Sequence, residues 1–468
     1  MSRKLTKTII IGALIFTSSF TNNLVANPII SEGVLKKAQE LRDKALQSSD
    51  AFSHAESLTV EVGPRLVGSA GDDLAVAWAI KRLKAIGADS VRTEPVNFPY
   101  WERGVAEAEI LSPFPQSLVV SALGGSVGTP AEGVKGNVVL FESLEELKSS
   151  NPDQVKNKIV FINKSTIRHI EGKGYGATVG QRSKGAVEAA RKGAKALLIR
   201  SVGTSHNRLA HTGSMRYSDS VERIPAAALS IPDANLIVSM LARGKPVSVG
   251  LNMSARNLGV KTTYNVIADI RGREKPEEIV LIGAHLDSWD EGTGALDDGA
   301  GVAIVLEAAR FIAELPERPR RTIRVVLFAA EEIGLIGSKH YLEAHSSTLE
   351  NHIVALESDF GADKVWRFDT RFDSSKLGIA DQIMQVLSPL GISRGSNNTR
   401  GGPDVMLLAA KGVPVVALYQ DGTDYFDFHH SPNDTLDKID AENLKQNVAA
   451  WVSFSYLVAE MEGYFKGK

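Results

Sequence analysis

Several short stretches of the chain set imidazole and carboxylate side chains at the ends of apolar runs. Ile279-Val280-Leu281-Ile282-Gly283-Ala284 ends in His285-Leu286-Asp287. Val325-Val326-Leu327-Phe328-Ala329-Ala330 ends in Glu331-Glu332, and Ile353-Val354-Ala355-Leu356 ends in Glu357-Ser358-Asp359. Gly294-Ala295-Leu296-Asp297-Asp298-Gly299 opens a helical pattern, and Phe428-His429-His430-Ser431-Pro432-Asn433-Asp434-Thr435 sets two histidines before a turn. A carboxylate buried at the end of an apolar strand is unfavourable unless a cation or hydrogen bonds compensate. Histidine, aspartate and glutamate together are nitrogen and oxygen ligands that suit zinc or a similar divalent ion.

Each stretch alone has an ordinary structural reading. His285 and Asp287 fall on the same side of a strand, so the carboxylate can accept the second N–H of the imidazole and fix its tautomer for a metal. The same His-x-Asp also suits a surface loop. Asp297 and Asp298 suit helix capping, and Asp298 is read that way. Glu331-Glu332 suits a solvated strand end. Neighbouring residues of an extended chain face opposite ways, so at most one of His429 and His430 is expected to be a ligand. Gly292 and Gly294 lack the third glycine of a dinucleotide loop, and no serine sits in a nucleophile-elbow frame.

Composition narrows the remaining classes. Cysteine is absent, which excludes thiol catalysis, disulfides and iron–sulfur clusters. Lys+Arg (53) and Asp+Glu (55) nearly balance, and aromatics are only 6 %, so nothing favours nucleic acid as a partner. With 43 % hydrophobic residues in 468, the chain can bury a large core.

The elements that must position these residues follow from periodicity. A basic start (Arg3, Lys4, Lys7), an apolar stretch from Thr8 to Phe16 and the small-residue site Leu24-Val25-Ala26 have the order of a signal peptide over 1–26. The mature protein is therefore expected to be periplasmic or secreted, with no membrane contact after cleavage. Helices are expected over 34–50 and Asp72–Ile86, and strands over 91–112. Residues 118–258 read as an inserted smaller domain. Its strands are expected at Val138–Phe141, Ile159–Ile162 and Ala196–Ile199, with a helix at Ala186–Lys192. His169, His206 and His211 lack metal-ligand spacing there, and the segment is expected to have no chemistry of its own. From 259 to 466, strands at Asn265–Ile270, Ile279–Ala284, Ile323–Phe328, Ile353–Ser358 and Val413–Leu418 alternate with helices. The expected fold is α/β, a mixed, mostly parallel sheet sandwiched by helices. Open sheets of this kind place their sites at strand carboxyl ends.

In order and approximate spacing, His285-x-Asp287, Asp297-Asp298-Gly299, Glu331-Glu332, Ser358-Asp359 and His430-Ser431-Pro432-Asn433-Asp434-Thr435 resemble the co-catalytic two-zinc exopeptidases of the aminopeptidase and carboxypeptidase Q kind. Gly63-Pro64-Arg65-Leu66-Val67-Gly68-Ser69 resembles that family's N-terminal loop, and residues 118–258 resemble its inserted protease-associated domain, with 34–117 and 259–466 as the two parts of the peptidase domain. The resemblance implies a zinc-dependent metallopeptidase with two Zn²⁺ per chain, other divalent ions being possible. It implies His285 and Asp359 on one metal, His430 and Glu332 on the other, and Asp297 across both, with His429 as the alternative to His430. Glu331 is implied as the general base that works with a hydroxide bridging the metals. Asp287 is implied to orient His285, and the Asp297–Asp298 peptide to be cis. Short peptides are the implied substrates, with Gly401–Asp404 and Gln420–Asp424 as candidate substrate loops. The competing readings are a binding protein that keeps the fold without catalysis and a one-zinc acyl-transfer enzyme such as a cyclase; metal content separates them.

Overall fold

Parallel strands buried on both faces need near-continuous apolar runs, and the runs at 279–284, 323–328 and 353–356 supply them. The computed structural model describes residues 30–466, so the expected signal peptide lies outside the described residues. In chain order, β1 (Ser90–Glu102) is followed by β2 (Ala106–Ser112), β3 (Gln116–Leu118), β4 (Val120–Ala122), β5 (Val134–Phe141), β6 (Ile159–Ile162), β7 (Ala196–Arg200), β8 (Ala226–Leu229) and β9 (Ser248–Met253). Next come β10 (Arg256–Ile270), β11 (Lys275–His285), β12 (Arg321–Phe328), β13 (His352–Glu357), β14 (Val365–Arg371), β15 (Ser393–Arg394) and β16 (Val415–Gln420).

They form two eight-stranded sheets. The first has the order β1-β10-β12-β11-β13-β16-β14-β15; it is parallel from β12 to β16, antiparallel at β1-β10-β12 and β16-β14, and parallel again at the edge pair β14-β15. Alternate residues of its central strands face two layers. Val280, Ile282, Val325 and Leu327 pack on the helices Ala300–Ala313 and Ala441–Glu460, while Leu281, Val326 and Phe328 pack on Tyr341 and Leu408. Each such side chain, fully buried, contributes about 1.5–3 kcal/mol. The register brings Phe328 beside His285 and Glu357 beside Gly283, so the carboxyl ends of β12, β11 and β13 lie together.

The second sheet has the order β3-β2-β9-β5-β6-β7-β8-β4. It begins at Ala106, ahead of the boundary expected at 118, because β2 pairs with β9. Glu102 of β1 lies opposite Arg256 of β10, so the chain leaves the first sheet and returns to it at adjacent positions. Several elements depart from expectation, three of them instructively. The helix expected at Ala186–Lys192 begins at Lys173, since packing overrides the low propensity of Gly174, Gly176 and Gly180. β10 starts at Arg256, its exposed polar first half carried by pairing with β1 and not by an apolar pattern. β14 was not foreseen; it is an antiparallel partner of β16.

Candidate metal centre

Three neighbouring strand ends supply most of the site. β11 ends at His285, the turn after β12 carries Glu331 and Glu332, and Asp359 lies just beyond β13. The loop that brings in Asp297 is tied down from two directions. Arg65, fully buried, donates from Nε to Leu286 O (2.6 Å), from Nη1 to Thr293 O (2.7 Å) and from Nη2 to Gly294 O (2.8 Å). Asp434 accepts the N–H of Leu296 (2.6 Å) and of Asp297 (3.2 Å). The Asp297–Asp298 peptide is cis. Asp298 caps the following helix, Oδ1 accepting from Gly301 N at 3.0 Å, and its Oδ2 accepts from His285 N at 3.1 Å.

Asp297 stands at the centre. Its Oδ1 is 3.1 Å from His285 Nε2 and its Oδ2 is 3.2 Å from His430 Nε2. His285 Nε2 is also 3.3 Å from Asp359 Oδ1, and His430 Nε2 is 3.0 Å from Glu332 Oε2. Two nitrogen–oxygen sets therefore share one carboxylate. Ligand atoms around a tetrahedral ion with bonds of about 2.0–2.1 Å lie ~3.3 Å apart, so both sets have the spacing of a zinc site. Asp297 Oδ2 and Glu332 Oε1 are buried and make no hydrogen bond, as expected of oxygens that serve a cation.

The charges agree. Burial disfavours a charged imidazole, yet Asp359 and Asp297 outweigh it and hold His285 well above its ordinary range. For His430, burial is outweighed by Glu332 and Asp297, and the value rises to about 8. Burial, reinforced by Asp359 and Glu332, pushes the Glu331 carboxyl well up. Behind the site, burial and then Asp359 push Glu357 up to about 7, and the fully buried Asp404 carboxyl makes no hydrogen bond. The site holds an excess of carboxylates that a dication would relieve.

Two expectations need correction. The Nδ1 of His285 meets the backbone carbonyl of Asp287 at 2.9 Å, not its carboxylate, whose nearest oxygen is 3.9 Å away. The Asp287 carboxylate instead accepts the N–H groups of Glu331 (3.0 Å) and Glu332 (3.3 Å), so it orients the turn that carries them. His429 and His430 do not face opposite ways. Their rings stack with centroids 3.5 Å apart, because a 3₁₀ turn (Tyr425–Asp427) and the positive φ of His430 (58°) replace extended chain. His429 Nε2 is 3.5 Å from Asp297 Oδ2, but only His430 also meets Glu332. Of the candidate substrate loops, Asp404 is buried, its N–H donating to Glu357, and Gln420 is buried against Ser358.

The chain is 37% identical to carboxypeptidase Q of Bos taurus over 94% of its own length and 89% of that protein. The chain belongs to peptidase family M28. The family's model, described as "Peptidase family M28", matches residues 265–455, the stretch that holds all the residues just described except Arg65. A solved M28 peptidase precursor from Shewanella amazonensis SB2B superposes with a TM-score of 0.91 at 53% identity, covering 93% of this chain and 98% of that one. An aminopeptidase from an Aneurinibacillus strain shares the fold, with a TM-score of 0.63 at 24% identity over 91% of this chain and 97% of that one. The protein is thus a metallopeptidase, a hydrolase, on an α/β M28 fold.

Some residues of this M28 site were not singled out from sequence. Arg65 lies within a loop that was noted, but nothing in its spacing shows that it binds three carbonyls. Arg182, His211 and Thr212 come from the segment expected to lack chemistry, yet they pack directly on His429 and His430. Among the described residues, no helix is long and apolar enough to cross a membrane.

Proposed function

We propose that this M28 peptidase is a two-zinc exopeptidase that hydrolyses short peptides, as an aminopeptidase or dipeptidase of the carboxypeptidase Q kind. The observation that carries the reading is the shared carboxylate: each oxygen of Asp297 faces a different histidine, and each histidine has its own second carboxylate, Asp359 or Glu332. His285, Asp359 and Asp297 would hold one zinc, and His430, Glu332 and Asp297 the other. When bound, such a metal pair supplies Lewis-acid polarisation of a peptide carbonyl and a lowered pKa for water.

The chain's own residues then have distinct tasks. Glu331 takes a proton from the attacking water and delivers it to the departing amine. Its burial raises its affinity for that proton, and the two N–H bonds to Asp287 set where it stands. A cavity of about 340 Å³ is lined by Leu66, Trp101, Met215, Arg216 and Ile333, the last of which follows Glu332 in the chain. Its size suits one or two residues of a peptide, which fits an exopeptidase. We read residues 1–26 as an export signal, so the substrates are peptides outside the cytoplasm.

The test is metal per chain on protein purified without chelator, together with hydrolysis of a dipeptide panel. Two zinc ions per chain and chelator-sensitive cleavage are expected. Glu331→Gln should keep both metals and lower kcat by about 10²–10⁴-fold. No metal after incubation with excess zinc would overturn the assignment.

A further inference from the structure

The two halves of the metal centre are held by different parts of the molecule. At His285, the partner of Nδ1 is the carbonyl of Asp287, two residues along the same chain segment, and every other contact described above comes from the first sheet and its loops. At His430 the partners of Nδ1 come from the second sheet's unit. Nδ1 is 3.4 Å from Thr212 O and 3.3 Å from Arg182 Nη1. Arg182 Nη1 itself donates to Thr212 O at 3.2 Å, and Nη2 donates to Tyr175 Oη at 2.6 Å. The backbone is gripped as well: Thr212 N donates to His430 O (2.8 Å), and His211 Nδ1 meets His429 O at 2.7 Å.

A metal on Nε2 of His430 leaves one consistent assignment of protons, with the imidazole hydrogen on Nδ1. Guanidinium cannot accept, and a carbonyl has two lone pairs. Thr212 O can therefore take a hydrogen from both Arg182 and His430 Nδ1, which leaves the Nε2 lone pair free for a metal held by Asp297 and Glu332. A Cβ at residue 213 would collide with the Arg182 guanidinium and with His430 Nδ1, so the close approach of cation and imidazole requires Gly213. Arg182 is buried, and its place on the helix Lys173–Arg191 is secured by the Tyr175 ring, which stacks on Phe426 with centroids 4.7 Å apart.

We propose that Arg182 is a positioning residue supplied by the second sheet's unit, which sets the orientation of His430 and so the affinity of one metal position but not the other. The proposal rests on the two-metal reading. It predicts an asymmetry that a general loss of packing would not produce. Partners that orient a ligating histidine typically change metal affinity by 10–100-fold. Arg182→Met should weaken one of two metals by about that factor and leave the other at its native affinity. Arg182→Lys should recover part of the loss. Tyr175→Phe removes only the oxygen that anchors Nη2 and should weaken the same metal by a smaller factor.

The experiment is Co²⁺ titration of the metal-free, full-length protein against a competing chelator, with the visible d–d bands as the readout. Wild type should load two ions per chain, and each variant should show one native and one weakened step. Two native steps in both Arg182→Met and Tyr175→Phe, or equal weakening of both steps, would overturn the role of Arg182 while leaving the two-metal reading intact. Fewer than two ions on wild type would overturn the two-metal reading itself, and the inference with it.

Discussion

The two sheets share an architecture and differ in what they place at the same topological position. Both contain adjacent parallel strands with largely apolar runs, β12-β11-β13 in the first and β5-β6-β7-β8 in the second. The first ends its strands in His285, Glu331, Glu332 and Asp359. The second ends its strands in Asn163, Arg200 and Ser201, and these find partners within the same sheet: Arg200 Nε donates to Asn163 Oδ1 (2.9 Å), and Ser201 Oγ donates to Leu229 O (2.6 Å). A parallel strand end becomes a site when it carries charge that its own neighbours leave uncompensated. The second sheet contributes from a different place, the helix Lys173–Arg191 and the segment 211–213.

The largest expected effect tests whether the first sheet alone supplies ligands. Asp297→Ala should remove both metals and bring peptide hydrolysis below detection, with the circular dichroism of both sheets retained. A metal ion remaining tightly bound in that variant would break the contrast, since a ligand would then have to come from elsewhere.

A smaller effect is expected where the ligand loops are stitched to the first sheet. Arg65→Met leaves three carbonyls without their donor, and the two buried ones, of Leu286 and Gly294, each cost about 1–3 kcal/mol. Calorimetry should show a lower Tm for the metal-free protein, so that the loss is read apart from metal binding. An unchanged Tm would show that water replaces the guanidinium.

The smallest effect lies far from the seam. Glu307 is buried, and although burial alone would raise its pKa, Arg310, His54 and the N–H of Asp50 outweigh that and bring it down to about 2. A carboxylate with a depressed folded pKa stabilises above its unfolded value, here 4.5, and that stability is lost as pH falls towards about 2. Glu307→Gln should be less stable than wild type at neutral pH, with the gap closing over that window. Parallel Tm–pH curves for the two proteins would refute the coupling.

The candidate site positions stand out in the sequence because charge at the end of an apolar run is anomalous, and the anomaly repeats at His285, Glu331-Glu332 and Asp359. The central strands of the first sheet were legible for a related reason, since a parallel strand buried on both faces favours a near-continuous apolar run. Other features depend on contacts that no spacing encodes. The shared direction of His429 and His430 comes from a positive φ, which adjacency in sequence cannot reveal. The carboxylate of Asp287 turns to the Glu331 turn because the neighbouring strand brings that backbone within reach. Arg65 and Arg182 look like surface residues in sequence and are buried by tertiary structure. The exposed half of β10 lacks alternation because its stability comes from β1 alongside it.

The pairing of Glu102 with Arg256 has a topological consequence. To the first sheet, residues 103–255 are the loop of a single hairpin whose stem is β1 and β10. The entropy of closing a loop grows only as the logarithm of its length, each doubling adding about 0.6 kcal/mol. The length of what the stem encloses therefore costs it little, and the strand register that brings His285, Asp359 and Glu332 together is set outside the enclosed unit.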